Sequence, residues 1–321
     1  MNNTQFKSIT YTGIKSGLRL IVLGAVHGNE ICGTLAIEKI IQEFETKRRT
    51  IIAGSVTFVP IANPLAYDKK QRIGDRNLNR NLNPTPQPQD FEDHVTNWLC
   101  PLLAQHDVLL DLHSFHTLGK PFALIGPRNN TGVLEPFNLA AEEEALALRL
   151  GVNVFVDGWL DTYSRGVAHR VANQAAYPNQ SKLQNLDVKY GVGTTEYMRS
   201  QGGWGITLEC GQHEEASAPE VAYNAIYNTL AHLGLIDAPA PKIVSDFRNL
   251  RIIEVIDKTN AEDQFIQAWK SFDALKTGDV IGVRKNGEQV MAEFDAIILF
   301  PNPAAFAGNE WFYLAKMVTR F

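Results

Sequence analysis

The run Leu18–Val26, "LRLIVLGAV", does most to narrow the folds open to this chain. It is nearly continuous in apolar residues and ends on small ones, as expected of a strand buried on both faces. Beyond it the period changes. From Glu30 to Phe44 the apolar residues Ile31, Leu35, Ile37, Ile40 and Ile41 recur at helical spacing, with charge on the opposite face. The alternation continues along the chain. Strands are expected at Ser55–Ala62, Val108–Leu112, Asn153–Val156 and Gly205–Leu208, and helices at Phe91–Leu103, Leu139–Leu150 and Ala222–Leu233. Strands alternating with helices predict an α/β fold, with a mostly parallel central sheet and helices on both of its faces.

At Asp237–Lys242, "DAPAPK", the character shifts across a Pro/Ala linker. Helical periodicity then almost vanishes. Leu250–Val255, Val280–Val283, Val290–Phe294, Ala296–Phe300 and Trp311–Ala315 read as short strands, with turns such as Asn286-Gly287 between them. The expected organisation is a catalytic α/β domain over 1–238 and a small all-β C-terminal domain over 239–321. Asn63–Asp90 resists both patterns: it is polar, rich in Asn, Arg and Pro, and such long loops inside compact domains are usually functional or disordered.

Composition sets the compartment and the partners. The chain is 45% hydrophobic and 20% charged, enough for a substantial core. Its net charge of −5, with no basic stripe, argues against nucleic acid as a partner. The cysteines Cys32, Cys100 and Cys210 are odd in number and far apart, which fits a reducing cytoplasm better than a disulfide framework. No signal-like start is seen, and no run nears the roughly 18 apolar residues that span a bilayer. The expectation is a soluble cytoplasmic protein with no membrane partner, compatible with a homo-oligomer.

His27 stands where the first strand ends, and Glu30 where the helix begins. In open α/β sheets the C-terminal strand edge is where ligands bind. Alone, the pair also fits a polar turn, with Glu30 as an acidic first-turn residue favoured by the helix dipole. His113 ends the apolar strand Val108–Leu112 and completes a His₂Glu set, one of the combinations that hold catalytic zinc. Asp111, two residues earlier, points to the same side and can accept the other ring N–H of a ligand histidine. Asp111, His116 and Glu214 are further candidate ligands should a second metal bind.

Two more segments suit this chemistry. "QRIGDRNLNRNLNP" places Arg72, Arg76 and Arg80 among asparagines, a set able to bind a carboxylate bidentately or simply to form a solvated loop. In "GGWGITLECG", Glu209 ends an apolar strand, where a carboxylate can serve as general base or pair with a structural arginine.

Together "GAVHGNE", "DRNLNRNL", "LDLHSF" and "GITLECG" resemble the succinylglutamate desuccinylase/aspartoacylase family, a branch of the zinc carboxypeptidase superfamily. The resemblance runs over Leu20–Gly211 and rests on the order of the motifs. It implies a zinc carboxypeptidase-like fold and one zinc ion held by His27, Glu30 and His113. It further implies that Asn79 and Arg80 hold a substrate carboxylate and that Arg72 polarises the scissile carbonyl. Glu209 would be the catalytic glutamate, and Arg199 a further carboxylate-binding arginine. Two departures stand out. The stretch comparable to the family's C-terminal tyrosine offers Ala305 and Phe306, and Arg76-Asn77 replaces a more acidic stretch before the Asn-Arg pair.

The function expected from this reading is zinc-dependent hydrolysis of an amide bond in an N-acyl amino acid or similar small carboxylate. A metallocarboxypeptidase acting on short peptides is the alternative, and a non-catalytic metal- or carboxylate-binding protein is a third reading.

Overall fold

The computed structural model describes residues 5–172 and 187–321. Its first part alternates as expected. Strands β1 (Ile9–Thr12) and β2 (Lys15–Leu23) precede helix α1 (Cys32–Glu45). Strand β3 (Ala53–Val59) and helices α2 (Pro64–Lys69) and α3 (Phe91–Leu103) follow, then β4 (Val108–Phe115) and β5 (Phe122–Leu124). Next come α4 (Ala140–Ala147), β6 (Val154–Asp157), α5 (Trp159–Ala172), α6 (Thr194–Ser200), β7 (Trp204–Gln212) and α7 (Ala218–His232).

The later part consists of strands among the described residues. These are β8 (Arg248–Asp257), β9 (Gln264–Phe265), β10 (Ala274–Leu275), β11 (Val280–Val283), β12 (Gln289–Met291), β13 (Ala296–Leu299) and β14 (Glu310–Met317).

One sheet runs through the molecule in the order β1-β3-β2-β4-β7-β5-β6-β8-β14-β13-β10. Strand alternation explains why helices cover both faces. Leu20 and Val22 of β2 share a core with Ile37 and Ile40 of α1 and with Ala225 and Ile226 of α7. Ile21 and Leu23 point the other way, into a core with Val95 and Leu99 of α3. Each such fully buried aliphatic side chain contributes about 1.5–3 kcal/mol.

The sheet differs from expectation in two respects. It is mixed rather than mostly parallel. The central β3, β2, β4 and β7 are parallel neighbours, as are β5, β6 and β8, but β5 runs antiparallel to β7. The edges are antiparallel too, at β1 and from β8 through β14 and β13 to β10. Secondly, the C-terminal strands do not form a sheet of their own. β8 pairs with β6 of the first part, and only β12, β11 and β9 form a separate three-stranded sheet. The reason is physical: an added strand satisfies the open edge of β6, whereas two separate sheets would leave more unpaired edges.

The polar connection after β6 holds α5, with part of it outside the described residues. No helix among the described residues is long and apolar enough to cross a membrane.

Residues 70–90 carry no helix or strand, yet the segment is firmly held. Glu92, fully buried in the first turn of α3, accepts the backbone N–H groups of Gly74, Asp75 and Arg76 and the side-chain amide of Asn63. Arg76 is ion-paired to Asp90 at 2.9 Å and to Asp93 at 2.9 Å, so it pins the loop.

Candidate metal centre and active-site cleft

The parallel register of β2, β4 and β7 brings their C-terminal ends together: Leu23 lies opposite Asp111, and His113 opposite Glu209. The chain leaving β2 turns sharply, with Ala25 in the left-handed region at φ 45°. Gly28 then passes so close to α2 that a Cβ would lie 1.9 Å from the Ala66 carbonyl carbon. Only glycine fits there. The turn aims His27 and Glu30 back at the strand ends.

Candidate ligand atoms of His27, Glu30 and His113 all lie within 4.8 Å of one another, and all three residues are buried. His27 Nδ1 is 2.9 Å from Glu30 Oε1, and His113 Nδ1 is 2.8 Å from Glu30 Oε2. The far ring nitrogens meet supporting groups. His27 Nε2 lies 3.0 Å from Asn77 Oδ1, and His113 Nε2 is 2.9 Å from Asp111 Oδ2. Asp111 in turn accepts from the Thr194 hydroxyl. Both Nδ1 atoms are thus presented toward Glu30, an arrangement in which outer groups orient histidines for a metal. His27 Nδ1 is buried without a hydrogen-bond partner among the described residues, despite its closeness to Glu30. A two-imidazole, one-carboxylate donor set with such an atom fits a divalent ion such as zinc.

The electrostatics are those of a compressed cluster. Burial, then Arg72, lowers His27 to about 4, so its imidazole is neutral and able to ligate. Burial alone would raise Glu30, but the two imidazoles overcome it and hold the carboxyl well below its usual range. Burial likewise opposes protonation of His113, and Asp111 and Glu30 outweigh it.

Glu209 faces this cluster from β7. Its Oε2 is buried without a hydrogen-bond partner among the described residues, and burial pushes its carboxyl up to about 8. Arg72, half exposed, donates from Nη1 to Glu30 Oε1 at 2.6 Å. Further along the cleft, the Asn79 side-chain oxygen accepts from Thr194 N at 2.9 Å, tying the loop to α6. Arg80 donates from Nη1 to the Asn79 carbonyl and lies over Trp159, with its guanidinium carbon 4.9 Å from the ring centroid. Glu209, Arg72, Asn79, Arg80 and Trp159 line one cleft of about 580 Å³ with His27 and His113.

Arg199 also touches this cleft, but its guanidinium is spoken for. It donates to both Glu143 oxygens, to Glu135 at 2.9 Å and to the Gly205 carbonyl at 2.7 Å. Its nitrogens thus serve two acidic side chains and a main-chain carbonyl at the edge of the cleft. Of the other candidate ligands, His116 lines the cleft, with Nε2 3.2 Å from the Pro301 carbonyl oxygen. Exposed Glu214 is not part of the ligand cluster.

A tyrosine from the C-terminal segment does reach the cleft. It is Tyr313 of β14, seven residues beyond Phe306, and Glu310 lines the wall beside it. Sequence reading also passed over Asn77, Ser114 and His213. The sole signal for His213 was its place just past Gly211 (φ 124°), which turns the chain back at the end of β7.

A mixed α/β sheet with a His-x-x-Glu and a strand-end His converging at its C-terminal edge defines a recognisable class of α/β protein with a built metal-type site. Residues 16–120 match the family model described as the succinylglutamate desuccinylase/aspartoacylase catalytic domain. The matched segment, about a third of the chain, is similar to that catalytic domain. A curated relative, a probable aspartoacylase of Prochlorococcus marinus subsp. pastoris, is 30% identical over 129 residues, which are 38% of this chain. The match spans 41% of the relative's own length.

Two solved structures share the fold. A succinylglutamate desuccinylase/aspartoacylase from Rhodobacter sphaeroides superposes with a TM-score of 0.73 at 16% identity, covering 99% of this chain and 90% of the other. The product-bound ectoine utilization protein EutE (DoeB) from Ruegeria pomeroyi gives 0.69 at 17% identity, covering 96% and 88%.

Proposed function

We propose that this protein is a zinc-dependent deacylase that hydrolyses the amide bond of an N-acyl amino acid. The observation that carries the reading is the His27, Glu30 and His113 cluster at a cleft lined by His27, His113, Glu209, Arg72 and the Asn79-Arg80 pair. The names of its relatives, desuccinylase and aspartoacylase, are those of enzymes that remove acyl groups.

His27, Glu30 and His113 would hold the ion, with Asp111 and Asn77 fixing the imidazoles. When bound, zinc supplies Lewis-acid chemistry, polarising a carbonyl and acidifying water. The chain's own residues do the rest. Arg80 and Asn79 anchor the substrate carboxylate and so set the distance from it to the reacting amide. Arg72, at the mouth of the cluster, faces the scissile carbonyl and stabilises the charge that develops on its oxygen. Glu209 takes a proton from the attacking water and returns it to the leaving amine. The aromatic wall of Trp159 and Tyr313 and the loop before β14 narrow the cleft, which favours a small amino-acid derivative over a long peptide.

Glu209→Gln, with shape kept and basicity removed, is expected to lower kcat at least 10³-fold while zinc content stays stoichiometric. Near-normal turnover would sink the mechanism. Parallel assays on N-acyl amino acids and blocked dipeptides decide between deacylase and carboxypeptidase.

A further inference from the structure

A second group of polar side chains lines the cleft on the flank away from Arg80. Ser114 Oγ and His213 Nδ1 are 2.8 Å apart, and His213 Nε2 lies 3.5 Å from the Asn29 side-chain amide. The His116 ring stands 6.4 Å from that of His213, centroid to centroid, and its Nε2 lies 3.2 Å from the Pro301 carbonyl oxygen. Gln212 donates to the His116 carbonyl, and the His213 backbone N–H to that of Phe115, so both rings are placed by the main chain as well. Asn29, Ser114, His116 and His213 all line the cleft together with His113 and Glu209. None of the steps above uses the Ser114–His213 pair or His116.

Their position assigns them a half of the substrate. In the deacylase reading, Asn79 and Arg80 hold the amino-acid carboxylate at one end of the cleft. Arg72 and the ligand cluster lie at the reacting carbonyl. Ser114 directly follows His113, and Asn29 stands between His27 and Glu30, so the Ser114–His213 pair borders the ligand cluster. Arg80 instead lies against the rings of Trp159 and Tyr163, at 4.9 and 5.7 Å from their centroids. The acyl group therefore extends toward Ser114, His213 and His116.

That wall is built of two imidazoles, a hydroxyl and an amide. Two of these groups are short of a partner: the His213 Nε2 contact to Asn29 is long at 3.5 Å, and Asn29 Oδ1 is buried without a hydrogen-bond partner among the described residues, so a bare hydrocarbon beside them returns no hydrogen bond, at about 1–3 kcal/mol for each. A hydroxyl on the acyl carbon both donates and accepts, so it satisfies the His213 Nε2 edge in either ring tautomer.

We propose that His213, held by Ser114 and flanked by His116, is a specificity-determining residue that selects acyl groups bearing a hydroxyl or similar polar substituent near the carbonyl. The proposal rests on the deacylase reading for the direction of the substrate.

The test compares N-glycoloyl and N-acetyl derivatives of one amino acid, which differ by a single oxygen. The wild type is expected to favour the glycoloyl compound about tenfold or more in kcat/KM. His213→Phe should bring that ratio close to one, and His213→Gln, which keeps a polar atom at the Nε2 position, should restore most of it. Equal rates on both substrates in the wild type, or an unchanged ratio in His213→Phe, overturns the proposal and leaves the deacylase reading standing. A second readout needs no turnover: titrating the zinc-loaded protein with glycolate or acetate while following the ¹⁵N signals of the His213 ring. A shift with glycolate and none with acetate supports the assignment. The same response to both overturns it, even for a protein that hydrolyses neither amide.

Discussion

Removing the Glu92 carboxylate should damage the loop that carries Arg72, Asn79 and Arg80 from outside the cleft. Glu92 is fully buried and accepts from Gly74 N at 2.9 Å, Asp75 N at 3.1 Å, Arg76 N at 3.1 Å and Asn63 Nδ2 at 2.8 Å. Hydrogen bonds to a charged acceptor are worth about 1.5–3 kcal/mol each, and a buried donor left unmade costs about 1–3 kcal/mol. Some of the freed N–H groups will find water when the side chain is gone, so the contributions do not simply add. Glu92→Ala is therefore expected to destabilise the protein by about 3–5 kcal/mol.

Glu92→Gln keeps one acceptor oxygen but turns an amide toward the Arg76 N–H, for a loss of about 2 kcal/mol. Because the same backbone carries Arg72, Asn79 and Arg80, each variant should raise KM for a carboxylate-bearing substrate. His27, Glu30 and His113 sit on other elements and only Asn77 of this loop steadies one of them, so on the deacylase reading any loss of zinc affinity should be smaller than the rise in KM. Urea denaturation, Michaelis kinetics and metal analysis on the same preparations test this. A Glu92→Ala protein within about 1 kcal/mol of wild type with an unchanged KM would refute the claim that this residue builds the loop.

Further outcomes follow from other buried groups. Arg199→Met should cost about 3–5 kcal/mol of stability by leaving Glu143 and Glu135 unpaired, with the loss seen in the denaturation midpoint of active protein rather than in a selective rise in KM. Glu135, raised to about 7 by burial and by its neighbours Glu196 and Glu143, binds its proton more tightly in the folded state. Its contribution is therefore fully present below the unfolded carboxyl range and lost as pH rises through about 7. Denaturation curves at pH 5 and pH 8 should show a smaller fall for Glu135→Gln than for wild type, and equal falls would count against it. Chelation of zinc should lower the thermal midpoint in calorimetry, reversed by added zinc, because an ion bound only to the folded state stabilises it.

Much of the site was legible because its chemistry lies at the ends of strongly patterned elements. The apolar run of β2 and the helical period of α1 bracket His27 and Glu30, and β4 and β7 deliver His113 and Glu209 in the same way. The parts that were missed depend on partners distant in sequence. Nothing local tells that the Arg199 guanidinium meets Glu143 and Glu135, or that Arg76 is spent on Asp90 and Asp93. Glu92 reads locally as an ordinary acidic residue at a helix start. The joining of β8 to β6 is a long-range pairing with no turn to announce it, so a change in periodicity at the linker looked like a change of sheet. Tyr313 was hidden in a strand whose alternation described its burial but not the cleft it borders.

The joining of β14 to the main sheet bears on how this protein is made. His27 and Tyr313 come from opposite ends of the chain, yet they line one cleft. On a translating ribosome the ligand cluster's first members emerge early and must wait for nearly the whole chain before their pocket has a second wall. A nascent or proteolytically shortened molecule can therefore carry His27, Glu30 and His113 without the Tyr313 side of the cleft, and on the deacylase reading metal uptake during synthesis would precede competence for catalysis.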